Sequence, residues 1–199
     1  MRELAILAVC WGAVAAQAED VVLKSNTDWL WFAKSQVAHV IINNSAKGCW
    51  TNTQAAKSAV ELELVRAGIE IGEDAATIIV LSAASYKAPD FNFCALSLTF
   101  KLLAPKENHW WNGNLHMSSA AGSNTIVFER EIVLGGQPSV IDHQIREAVQ
   151  VTATDMLAEA AKEKSAVLKE LSSLRNKKLA RAWQNWVGRK WKRGASAVP

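Results

Sequence analysis

From Asn92 to Leu102 the chain alternates with a period of two. Cys94, Leu96, Leu98, Phe100 and Leu102 point one way, and Phe93, Ala95, Ser97, Thr99 and Lys101 the other. That pattern demands a strand with one face on a core, and a strand demands a partner. The segment Ala76–Tyr86 supplies one, being rich in β-formers with apolar residues on both faces. Pro89-Asp90 lies between the two as a turn, so a long antiparallel pair is predicted.

A helix should lie on this sheet. Thr51-Asn52-Thr53-Gln54 has the form of a capping box, with Thr51 as N-cap and Gln54 reaching back. Ala55, Ala56, Ala59, Val60, Leu64 and Ala67 then share one arc of the helix. Lys57, Ser58 and Glu61 lie opposite, while Glu63 and Arg66 intrude on the apolar arc. Gly68 suits the left-handed residue that ends a helix, and Ile69 and Ile71 follow as a short strand. Upstream, Val37–Ile42 is a strand with both faces mostly apolar, which suits a place inside the sheet. Asn43–Gly48 is rich in turn formers. Its Asn43-Asn44-Ser45 is formally a glycosylation sequon but is better taken as part of the turn.

Downstream, Ala104–Asn108 with Pro105 reads as a boundary. Trp110–Ser119 reads as a further strand with Trp110 and Trp111 at its start, and Gly122–Asn124 as a turn. In Thr125–Leu134, Ile126, Phe128, Arg130 and Ile132 alternate with Val127, Glu129, Glu131 and Val133, and Gly135-Gly136 breaks the pattern. Pro138-Ser139 opens a last helix, with Asp142 completing a variant capping box to Ser139. Ile141, Ile145, Ala148/Val149, Thr152, Met156 and Ala160 mark its apolar face, which drifts after Ala161 without a sustained heptad. No Pro or Gly interrupts Ser139–Val187, which as one helix would run roughly 74 Å. The expected fold class is α+β: a mainly antiparallel sheet covered by helices at about 51–67 and 139–161, with a long C-terminal helical extension.

The amino terminus reads as an export signal. Leu4–Ala16 is apolar but shorter than the roughly 20 residues of a spanning helix. Ala16-Gln17-Ala18 fits a small-x-small cleavage site, so 1–18 is expected to be a signal peptide, with cleavage after Ala18 and a periplasmic product. Met1-Arg2-Glu3 carries no net side-chain charge, so an uncleaved anchor is the alternative. Leu7-Ala8-Val9-Cys10 resembles a bacterial lipobox, but Val9 stands where a small residue is wanted and the apolar run continues past Cys10. In the processed chain Cys49 and Cys94 are the only cysteines, and an even pair in an exported protein is expected to form a disulfide.

Charge divides the chain. Residues 19–161 carry 10 Lys/Arg against 16 Asp/Glu, and residues 162–199 carry 11 against 2. A domain of net charge −6 is thus followed by an extension of +9. In that extension Arg175, Lys177, Lys178, Arg181, Arg189, Lys190, Lys192 and Arg193 surround Trp183, Trp186 and Trp191, which follow helical spacing. An interfacial helix has this composition, with indoles at the headgroup boundary and cations toward anionic lipid. An envelope protein partner, or tryptophans folded back on the domain, would suit the same residues. Export argues against nucleic acid. The cluster Trp29, Leu30, Trp31 and Phe32 reads as core or sheet-edge packing, with a ligand-stacking platform as the alternative.

Chemistry leaves few traces. His39, His109, His116 and His143 show no i, i+4 pair of a helical metal site. No G-x-S-x-G elbow, P-loop or dinucleotide fingerprint occurs. Glu129 and Glu131 share a strand face, and two such carboxylates would need a cleft to act as acid and base. No catalytic residue, cofactor or metal is expected. A periplasmic hydrolase or ligand-binding enzyme whose site leaves no motif is the alternative.

The order of elements (strand, capped helix ending in Arg66-Ala67-Gly68-Ile69, strand pair, further strand, final helix) resembles small periplasmic α/β modules such as the amino-terminal domain of TolB. The resemblance covers about residues 35–160 and transfers no functional residue. It implies a non-catalytic adaptor of the cell envelope. The extension after Lys162 has no counterpart in that layout.

Overall fold

The computed structural model describes residues 37–173, except 47, 89, 91, 113 and 114, together with Lys177, Lys178, Ala180, Arg181 and Asn185; for 105–123 it describes backbone alone. The order of elements is β1 (Val37–Ser45), α1 (Thr53–Arg66), β2 (Glu70–Ile71), β3 (Thr77–Ala88), β4 (Phe93–Asn112), β5 (Leu115–Gly136) and α2 (Pro138–Ser173). The fold is α+β, with one five-stranded sheet in the order β2-β1-β3-β4-β5.

The sheet is mixed. β1 pairs in parallel with both β2 and β3, while β3 with β4 and β4 with β5 are antiparallel and carry most of the ladder. Parallel neighbours need a crossover, and α1 provides it between β1 and β2. The alternation of β4 then decides where the core sits. Leu96, Leu98, Phe100 and Leu102 are buried on the face that receives both helices. Each such side chain stabilises by about 1.5–3 kcal/mol relative to an exposed one. From α1 come Ala56, Val60 and Leu64, and from α2 come Ile141, Ile145, Val149 and Met156. Phe128 of β5 closes this layer, its ring edge-on to Phe100 at 6.0 Å.

The two ends of α1 are made differently. At its C-terminus Gly68 adopts φ +80°, its N–H donates to Val65 O at 2.9 Å, and the Ile69 N–H donates to Leu64 O at 2.9 Å. That is a Schellman closure, as the sequence predicts. At its N-terminus the cap is Asn52 rather than Thr51: Asn52 Oδ1 accepts from the Ala55 N–H at 3.0 Å. Thr51 is held by Asp142 of α2 instead. Gln54 does not reach back, since its Nε2 donates to Ser58 Oγ at 3.3 Å. Glu63, the charge intruding on the apolar arc, lies where the helices meet. It accepts from Arg66 at 2.7 Å and from Gln150 Nε2 at 2.9 Å.

The region after Leu103 differs most from the sequence expectation. Pro105 does not end a strand, Trp110–Ser119 is not a separate strand, and Gly122–Asn124 is not a turn. β4 and β5 instead form one long hairpin, paired from Cys94 opposite Gly136 to Asn112 opposite Leu115. The reason lies in the neighbours. β3 stops pairing with β4 at Ile78 opposite Leu103, so no β3 carbonyl needs the N–H that Pro105 lacks. A register shift falls between Pro105 and Lys106, and proline is tolerated at such irregularities. Gly122 and Ser123 fall in that shift, which gives their turn-like composition a different use.

α2 runs on without a break past 161, as the expected helical extension requires. Its buried stripe continues from Ala160 to Val167 and Leu171, both fully buried. Helical backbone recurs at Lys177, Lys178, Ala180, Arg181 and Asn185.

Candidate functional site

Cys49 and Cys94 form the expected disulfide, with Cα atoms 5.7 Å apart and both residues fully buried. The bond ties the loop before α1 to the start of β4. A short network braces that loop. Asn44 Oδ1 accepts from the Ala46 N–H at 2.9 Å, Asn44 Nδ2 donates to Trp50 O at 3.0 Å, and Ser85 Oγ donates to Ala46 O at 2.5 Å. The asparagine side chain thus fixes the turn after β1. This corner is structural, and it holds the entry into α1 against the sheet.

The paired carboxylates of β5 are both engaged across the strand. Glu129 meets Lys101 Nζ at 2.8 Å, and Glu131 accepts from Ser97 Oγ at 2.8 Å. Arg130, on the opposite face, meets Asp155 of α2 at 2.5 Å and lies 5.4 Å from the Phe128 ring centroid. A general acid and base pair needs one carboxyl held apart from such partners. His143 lies on the exposed side of α2 with Glu147 at 3.2 Å and Arg146 at 3.0 Å. The hairpin register sets His109 opposite Ser118 and His116 opposite Trp111, so the two histidines occupy diagonal positions of one ribbon face. Among the described residues no three His, Cys, Asp or Glu groups gather as a metal site.

Of the predicted binding residues, Lys177, Lys178 and Arg181 are described and all three are exposed on helical backbone. Lys177 Nζ donates to Ser172 O at 3.3 Å, at the end of α2. Arg175, Trp183, Trp186, Arg189, Lys190, Trp191, Lys192 and Arg193 lie outside the described residues, as do 1–18 and the Trp29–Phe32 cluster. Among the described residues no helix is long and apolar enough to cross a membrane.

The sheet face away from the helices carries a second feature that the sequence did not single out. Register aligns His39, Ile78, Leu103 and Ile126 across four strands. The first three are half-buried and Ile126 is exposed. Only the pairing register brings these residues into one row.

No family model matches this chain. No curated protein matches it either. Among solved structures, the dodecameric PelC of Paraburkholderia phytofirmans is similar at 18% identity, over 59% of this chain and 86% of that one, with a TM-score of 0.33. A variant of the same protein gives 18% identity, 59% and 88% coverage, and a TM-score of 0.34. Superposition at that level carries no weight for fold or function.

Proposed function

We propose that the chain is an exported, non-enzymatic binding module of the cell envelope, acting as an adaptor in the periplasm. Its basic, tryptophan-rich tail contacts an anionic membrane surface, or an envelope protein that presents equivalent charge. One observation carries this reading: a domain of net charge −6 is followed by a tail of net charge +9 that holds three of the nine tryptophans. Charge separation on that scale directs one end of the molecule toward an anionic surface. The exposure of Lys177, Lys178 and Arg181 supports it. The disulfide supports an oxidising compartment, and the cross-strand engagement of Glu129 and Glu131 supports a non-catalytic role.

Anionic vesicles test the reading directly. Binding should shift tryptophan emission to the blue and weaken with salt, since exposed charges are screened beyond about 10 Å at 0.1 M. A Trp183→Ala, Trp186→Ala, Trp191→Ala variant should lose the apolar part of the tail's contact and keep the tail's weak, salt-sensitive attraction. Full-length protein that ignores anionic vesicles at low salt sinks the membrane form of the proposal and leaves the protein partner.

A further inference from the structure

The β4–β5 ladder outlasts the rest of the sheet. β3 accompanies β4 only to Leu103, while β4 continues to Asn112 and β5 begins at Leu115. The strands of the distal ribbon therefore have only each other among the described residues, over roughly 30 Å at about 3.3 Å per residue. A two-stranded ribbon on its own is marginal in water and calls for a surface to lie against.

Its composition indicates which surface. No Asp, Glu, Lys or Arg occurs from Asn108 to Phe128, in a chain where such residues make up 21%. The distal end holds Trp110 opposite Met117, Trp111 opposite His116 and Asn112 opposite Leu115. Two tryptophans, a leucine and a methionine are thus gathered at the last three register positions before the chain reverses.

We infer that the distal end of the β4–β5 ribbon is an anchor that seats in the headgroup layer of a lipid bilayer irrespective of lipid charge. Indole rings favour that layer. Among the described residues nothing pairs with either outer edge of the ribbon, and unpaired N–H and C=O groups cannot enter hydrocarbon. It therefore stops where water still reaches its edges, a depth that also suits the interleaved Asn, His and Ser residues. Lacking charge, it gains nothing from anionic lipid and loses nothing to salt, which is the opposite of the tail. The inference rests on the reading that the chain works at a membrane, yet the two contacts separate by their salt response.

The test uses the full chain and vesicles of phosphatidylcholine alone, in about 0.1 M and about 1 M salt, where screening lengths are about 10 Å and about 3 Å. Binding should occur and be the same at both. A Trp110→Ser, Trp111→Ser variant should lose at least about tenfold in partitioning to these vesicles, with melting temperature unchanged and with salt-sensitive binding to anionic vesicles retained. As a readout that needs no variant, backbone amides of 106–120 in the wild-type chain should exchange more slowly when phosphatidylcholine vesicles are added. Wild-type protein that ignores phosphatidylcholine, a variant that partitions like wild type, or amide exchange unmoved by vesicles each overturns the anchor, whatever the tail does. Loss of anionic, salt-sensitive binding alone would count against the tail and leave the ribbon standing.

Discussion

Asp142, near the start of α2, receives Thr51 twice. The Thr51 backbone N–H donates to Oδ1 at 2.9 Å and its hydroxyl donates to Oδ2. The Asn52 N–H adds a bond to the same Oδ1 at 3.1 Å. One carboxylate thus meets the donors at the head of α1 and fastens the two helices at their N-terminal ends. Charge near a helix N-terminus is favourable as well.

Replacing this carboxylate should show the connection. Asp142→Ala should lower stability by about 1–3 kcal/mol, because two backbone donors lose a charged acceptor. For a chain of this size that is a fall of about 2–4 °C in melting temperature per kcal/mol. Thr51→Ala should cost less, and the pair should be non-additive by at least about 0.5 kcal/mol in a double-mutant cycle read by urea unfolding. Additive single effects would mean that Thr51 and Asp142 act independently.

The disulfide gives a prediction of a different size. Closing the loop between Cys49 and Cys94, 45 residues apart, stabilises by roughly 4 kcal/mol on the chain-entropy model. A Cys49→Ala, Cys94→Ala variant should therefore unfold at much lower urea than the oxidised protein. Alkylation of the denatured, unreduced chain followed by intact mass should leave both cysteines unmodified. Two alkylated cysteines at these positions would sink the bond.

Gly68 isolates a backbone effect. Its φ of +80° suits glycine, and a Cβ there would meet nothing within 4 Å. Gly68→Ala should cost about 1–2 kcal/mol from backbone conformation alone, with no steric penalty added. Gly68→Asn should recover part of that loss, since asparagine tolerates the left-handed region. A neutral Gly68→Ala in thermal unfolding would show that the closure of α1 contributes little.

What was legible in the sequence was local. The β4 alternation and the glycine closure of α1 depend on residues within a few positions of each other, and both appear as expected. Sequence points to Thr51 as the N-cap because the group that holds Thr51 instead lies 91 residues away. Sequence divides the hairpin beyond Leu103 because Pro105 is a breaker only where a neighbouring strand needs its N–H, and among the described residues β3 ends its pairing with β4 before that position. A period of two says nothing about strand direction, so the parallel β2-β1-β3 arrangement was hidden. Sequence shows Glu129 and Glu131 without partners because Lys101 and Ser97 reach them only through the register of β4 on β5. The charge of the tail, by contrast, is a property of composition and was plain from the start.

The boundary between domain and tail can be located by unfolding. Val167 and Leu171 are fully buried although they follow Lys162. Leu171→Ala should then cost about 2–5 kcal/mol, as for a core leucine, whereas a solvated helical spacer would change by less than about 0.5 kcal/mol. A chain ending at Lys162 loses both residues along with the basic tail, so its melting temperature should fall by many degrees and its binding would be uninterpretable. A chain ending at Ser173 keeps both, removes Trp183, Trp186 and Trp191, and should melt much closer to the full-length protein. Comparing the two shortened chains by thermal unfolding separates packing from docking. If they melt together, burial of Val167 and Leu171 contributes nothing to the fold, and the domain ends where its charge changes sign.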